Sequence, residues 1–151
     1  GYNFGAQKID RVKQTLRLGI ISGVVITSSG FVICEFFPHA VSALFTDSDE
    51  LIDLAVGGIR LTVLMFPFVG AQIVIGNFFQ SIGKAKVSIF LSLTRQLLYL
   101  LPCLLLFPNW WGLEGIWISM PVSDALAFIT AVISLVIYIK KVSKQHPVVA
   151  E

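Results

Sequence analysis

The sequence predicts an all-α polytopic membrane bundle, and three observations carry that expectation. Of 151 residues, 56% are hydrophobic and only 13% charged, whereas soluble domains carry charge on about a quarter of their residues. The apolar residues gather into runs long enough to cross a hydrocarbon layer of about 30 Å as helices. The charges lie between those runs, and ten of the eleven basic residues fall to one side: Lys8, Arg11, Lys13, Arg17, Lys84, Lys86, Arg95, Lys140, Lys141 and Lys144. A net charge of +2 is too small to indicate a nucleic-acid partner. The expected partner is the lipid bilayer.

Four spans are predicted, over about residues 18–36, 54–80, 87–107 and 116–139. Residues 1–17 are polar and basic apart from Asp10, so they belong at a cytoplasmic face. The first span is uncharged up to Cys34. Its Gly19, Gly23 and Gly30 and the Ser28-Ser29 pair offer small-residue faces for another helix. Glu35 and Pro38 mark its far end. Residues 39–53 carry four acids and no Lys or Arg, which places this loop on the opposite side, with Thr46, Asp47, Ser48 and Asp49 available as caps.

The second span carries Pro67, Gln72 and Asn77 and ends in the basic turn around Lys84 and Lys86. The third is interrupted by Arg95-Gln96, bent at Pro102 and closed by Pro108. A loop over residues 109–115 follows, with Trp110 and Trp111 suited to the membrane interface and no basic residue. The fourth span bears Pro121 and ends in Lys140-Lys141 and Lys144, with residues 140–151 as a cytoplasmic tail. Both ends of the chain are then cytoplasmic. The chain opens without Met, a basic n-region or a cleavage site, so it is expected to be a piece of a longer protein.

No catalytic or metal-ligand constellation is present, and an enzyme is not expected: HExxH, GxSxG, a phosphate-binding glycine loop and a Cys/His set are all missing. Cys34 and Cys103 lie in apolar runs and read as packing residues rather than a disulfide. His39 and His146, in a loop and in the tail, read as exposed polar residues. Charges within spans are the better lead, because a charge in hydrocarbon is costly and needs a partner or water.

Glu35 and Arg60 lie toward the outer ends of the first two spans, so an ion pair between them is expected, with snorkelling or a transport role as alternatives. Arg95 and Asp124 each lie about eight residues from opposite surfaces, about 12 Å deep at 1.5 Å per residue. The remaining gap of about 6 Å across a 30 Å core is within reach of their side chains. Pairing is the favoured reading, and a proton-titrating Asp124 in a water-filled cavity is the alternative. Gln72 and Asn77 are candidates for a substrate path or for interhelical hydrogen bonds.

Several motifs resemble the multidrug and toxic compound extrusion (MATE) family. Gly1-Tyr2-Asn3-Phe4-Gly5-Ala6-Gln7 followed by Arg11-Val12-Lys13 is similar to the G-[YF]-N-[YF]-G-A…RVK stretch of that family. Gln80 to Lys86, Ser92-Leu93-Thr94-Arg95-Gln96, Gly112-Leu113-Glu114-Gly115-Ile116-Trp117 and Pro121-Val122-Ser123-Asp124 follow in the family's order over nearly the whole chain.

The resemblance implies a twelve-helix, two-lobe antiporter that exports organic cations or amphipathic compounds by alternating access. This chain would supply its C-terminal part, the ninth to twelfth helices, and the missing N-terminal helices would be its partners. The NorM-like branch carries an acidic cation-binding residue in the tenth helix, where this chain reads Phe68-Val69-Gly70-Ala71-Gln72. That departure implies the DinF-like or related bacterial branch, with proton rather than sodium coupling, no other cofactor, and a bacterial inner membrane. A lipid-linked oligosaccharide flippase of the same superfamily would need more basic residues facing inward than Arg60 and Arg95. A non-transporting helical membrane module is the reading from a different class.

Overall fold

A computed structural model describes residues 1–145, and every regular element among them is helical. The order is α1 (Tyr2–Gly5), α2 (Ile9–Phe36), α3 (Pro38–Ala43), α4 (Asp49–Thr62), α5 (Phe66–Ser81), α6 (Ala85–Leu93), a π-helical segment (Thr94–Leu100), α7 (Leu101–Leu106) and α8 (Pro108–Gln145). His146 and the rest of the expected tail lie outside the described residues. Three helices are long and apolar enough to cross a membrane: Ile9–Phe36, Ala85–Leu106 and Pro108–Val142. A fourth crossing is formed if α4 and α5 count together, with a bend of 53° between them.

This bend corrects the expectation of one continuous helix over 54–80. Pro67 sits in the first turn of α5 and has no N–H to bond to the Val63 carbonyl. That carbonyl accepts from the Phe66 N–H at 2.9 Å instead, and the chain turns over residues 63–65.

The third crossing also departs from a simple helix. Its wide π turn lies immediately upstream of Pro102, which can neither donate to the Leu98 carbonyl nor avoid crowding it, so the preceding turns widen.

Two predicted loops are helical as well. Pro38 starts the short helix α3, where its fixed φ suits a first turn. The expected loop over 109–115 is absorbed into α8 except at Gly112, whose φ of 55° and ψ of −132° break the helix and turn the chain. A glycine tolerates that backbone where other residues are strained. At the start of the chain, α2 begins at Ile9 rather than at residue 18, so the basic residues Arg11, Lys13 and Arg17 sit on its first turns.

Helix α5 is the hub, packed against α2, α6 and α8. Of the small residues predicted to allow close approach, Gly19, Gly23 and Gly30 of α2 face α5. A Cβ on Gly23 would lie 3.0 Å from the Gly70 carbonyl oxygen, and a Cβ on Gly70 would collide with the Gly23 backbone and Thr27 Oγ1. On the other side Ile75 and Phe79 of α5 are buried with Ala131 and Leu135 of α8, and Phe78, Phe79 and Tyr138 meet edge to face. Outward-facing Val25, Ile26, Leu98, Leu105 and Ile137 are more than half exposed. Such a surface suits lipid or further helices, not water.

Candidate polar cavity and intramembrane charges

Positions four residues apart stack on one face of a helix. On α5 Gln72 and Gln80 stand on such a face with the bare Gly76 between them, and on α6 and the π segment the polar series is Ser88, Ser92, Gln96. The hairpin turn at residues 82–84 brings these two faces together. Between them lies an open cavity of about 290 Å³, to which Asn77 and Arg95 also contribute, with Ile73 and Leu91 as apolar wall.

Gln72 is the deepest polar group here. It is 9% exposed, and its Oε1 has no hydrogen-bond partner among the described residues. A buried amide oxygen left unpaired costs about 1–3 kcal/mol, which a donor from water or a ligand would recover. Asn77 is exposed and lies between two spaces, since it also lines a second cavity against Asn3, Thr15 and Gly19.

Arg95 Nε donates to Asp124 Oδ1 at 2.8 Å. The aspartate side chain is 7% exposed and the arginine 37%, so the acid is held inside the bundle while the guanidinium reaches its edge. The terminal nitrogens of Arg95 have no hydrogen-bond partner among the described residues. On the same helix the hydroxyls of Ser119 and Ser123 are buried but satisfied, donating to the carbonyls of Gly115 and Met120. They are therefore not free to bind the carboxylate.

One turn further along, Tyr99 bonds to Thr130 Oγ1 at 2.8 Å, and Thr130 in turn donates to the Leu126 carbonyl. The π segment is thus tied to α8 by two polar contacts. Tyr99 was not a candidate from sequence, because a tyrosine in an apolar run reads as packing.

Glu35 and Arg60 approach less closely, at 3.8 Å between Oε1 and Nε, with side chains 33% and 53% exposed. They stand on α2 and α4, away from the residues lining the cavity. The structure therefore brings Gln72, Asn77 and Arg95 together, with Asp124 behind Arg95, and leaves Glu35 and Arg60 as a separate, looser pair. Cys34 and Cys103 are both free thiols. Among the described residues no three His, Cys, Asp or Glu side chains converge on a point where a metal ion could sit.

Comparison with known proteins gives the family. The family model MatE matches residues 1–105. Two solved chains match with a TM-score of 0.83 and 36% identity, one described as protein A and the other as the MATE multidrug transporter DinF-BH. The alignment covers 89% of this chain and 30% of each of those, so the chain spans under a third of their length. No curated protein matches it. The multi-pass helical bundle, the family model over residues 1–105 and the likeness to DinF-BH lead to one conclusion: the chain belongs to the MATE family.

Proposed function

We propose that the chain is the C-terminal third of an efflux antiporter, its ninth to twelfth helices, which exports organic cations or other amphipathic compounds in exchange for protons by alternating access. The likeness to DinF-BH over 89% of the chain carries this reading. The polar cavity between α5 and α6 supports it, since Gln72, buried and without a partner among the described residues, lines it together with Arg95. The four crossings form one wall of the transporter. The N-terminal helices supply the rest of the path and, in place of the acid absent from residues 68–72, the proton-coupling carboxylate.

The charge asymmetry supports an orientation with Lys84, Lys86, Lys140 and Lys141 at the cytoplasmic face. Residues 140–151 form a cytoplasmic tail, and the membrane is the bacterial inner membrane. The test is ethidium efflux from cells expressing the full-length protein, with the proton gradient collapsed and the sodium gradient kept. Export is expected to stop. Export that persists and requires sodium would overturn proton coupling, and a full-length protein that exports neither ethidium nor any other dye under any gradient would overturn transport.

A further inference from the structure

We propose that the cavity between α5 and α6 is a binding site for an amphipathic monoanion that carries a hydrogen-bond donor beside its charge. The proposal rests on the transport reading and deepens it by assigning this cavity a substrate class distinct from organic cations.

Three features of the lining point to that chemistry. Arg95 is the sole charged side chain among the lining residues. Its counter-ion Asp124 does not line the cavity and engages only Nε, so the pair turns its positive end to the open space with terminal donors to spare. These nitrogens suit a carboxylate or phosphate oxygen, to which the planar fork binds strongly. A cation placed there would meet the guanidinium first, with the Asp124 carboxylate behind it.

The second feature is Gln72. Its Oε1 is buried and without a partner among the described residues, and its residue lines the cavity, so a turn of the amide presents an acceptor to a donor bound there. A ligand whose amide, hydroxyl or sulfonamide N–H stands next to its anionic group satisfies Oε1 and Arg95 together. The third is size and wall: about 290 Å³ with Ile73 and Leu91 beside the polar stripe admits a small apolar body and lies near the lower bound for small-molecule sites. An anionic lipid headgroup and a soluble amphipathic acid share this chemistry.

The test uses purified full-length protein in phosphatidylcholine nanodiscs and two probes, N-dansyl-leucine and its methyl ester. The carboxylate is expected to bind at least tenfold tighter than the ester. Gln72→Glu and Gln96→Glu, each adding a negative charge to the lining, are expected to erase most of that preference. Gln96 is exposed, so its variant tests the electrostatics without disturbing a buried position. Equal affinities for the two probes, or a preference unchanged in both variants, would overturn the proposal.

Repeating the titration in phosphatidylglycerol nanodiscs separates the sources. Competition by the anionic lipid assigns the site to a headgroup, and undiminished binding assigns it to a soluble acid. Either result upholds an anion site. Ethidium export measured on the same protein keeps the two readings apart. Export without carboxylate preference removes the anion site and leaves transport standing, while carboxylate preference without any export removes transport alone.

Discussion

At the scale of single residues, the two ion pairs are unequal, and burial decides which matters. Asp124 is held at 2.8 Å by an arginine nitrogen and is almost fully enclosed, so removing its charge leaves Arg95 without its buried counter-ion. Asp124→Asn is expected to destabilise the protein by about 1–3 kcal/mol, the range for a charged hydrogen bond whose partner is left behind. Glu35 and Arg60 are 3.8 Å apart and well exposed, and such pairs contribute about 0–1 kcal/mol. Glu35→Gln is accordingly expected to have little effect. Thermal unfolding in detergent, followed by size-exclusion recovery, checks both, and equal losses would contradict the ranking. Residue counting from each surface put Arg95 and Asp124 within reach of one another. It could not show that Nε alone makes the contact, because side-chain orientation depends on the helix rotation that packing imposes.

At the scale of elements, close contact between α2 and α5 depends on glycines rather than on interdigitated large side chains. The Gly23 and Gly70 backbones meet with no space for a side chain, whereas Gly76 on the same helix has nothing within 4 Å of a built Cβ. Gly70→Leu is expected to cost about 1–3 kcal/mol or more by overpacking, while Gly76→Ala is neutral. Both are read as shifts of the unfolding midpoint, and a midpoint for Gly70→Leu no lower than that of Gly76→Ala would refute the contact. The small residues of α2 were visible in the sequence as a packing face. Less visible were the broken α4–α5 crossing and the π turn. Proline at position 67 or 102 announces a lost hydrogen bond, but the surrounding helices decide whether the chain answers with a 53° bend or with a widened helix. The tryptophan segment is helical rather than a loop for a related reason: one glycine in a positive-φ conformation at position 112 is enough to turn the chain, which leaves its neighbours helical.

At the scale of the whole molecule, four crossings and a one-sided distribution of Lys and Arg give an orientation that can be measured. In a cysteine-free background, Asp47→Cys on the acidic side is expected to react with a membrane-impermeant maleimide in intact cells. Lys86→Cys is expected to stay protected until the cells are lysed. The reverse pattern would invert the topology. The efflux experiment belongs to this scale too, because the proposed proton coupling draws on helices beyond these crossings.

What the sequence determined by itself was whatever depends on composition and order along the chain. The membrane class, the crossings, the basic side and the family motifs are of this kind, since partitioning between lipid and water acts on runs of residues. The candidate pair Arg95 and Asp124 followed from heights alone. Only the tertiary structure decided what depends on two helices at once: which faces meet, where the chain breaks, and that Gln72, Asn77 and Arg95 share a cavity. The four-residue polar stripes on α5 and α6 were present in the sequence. Their convergence required the hairpin to set the rotation of each helix, a choice made by packing across the whole bundle.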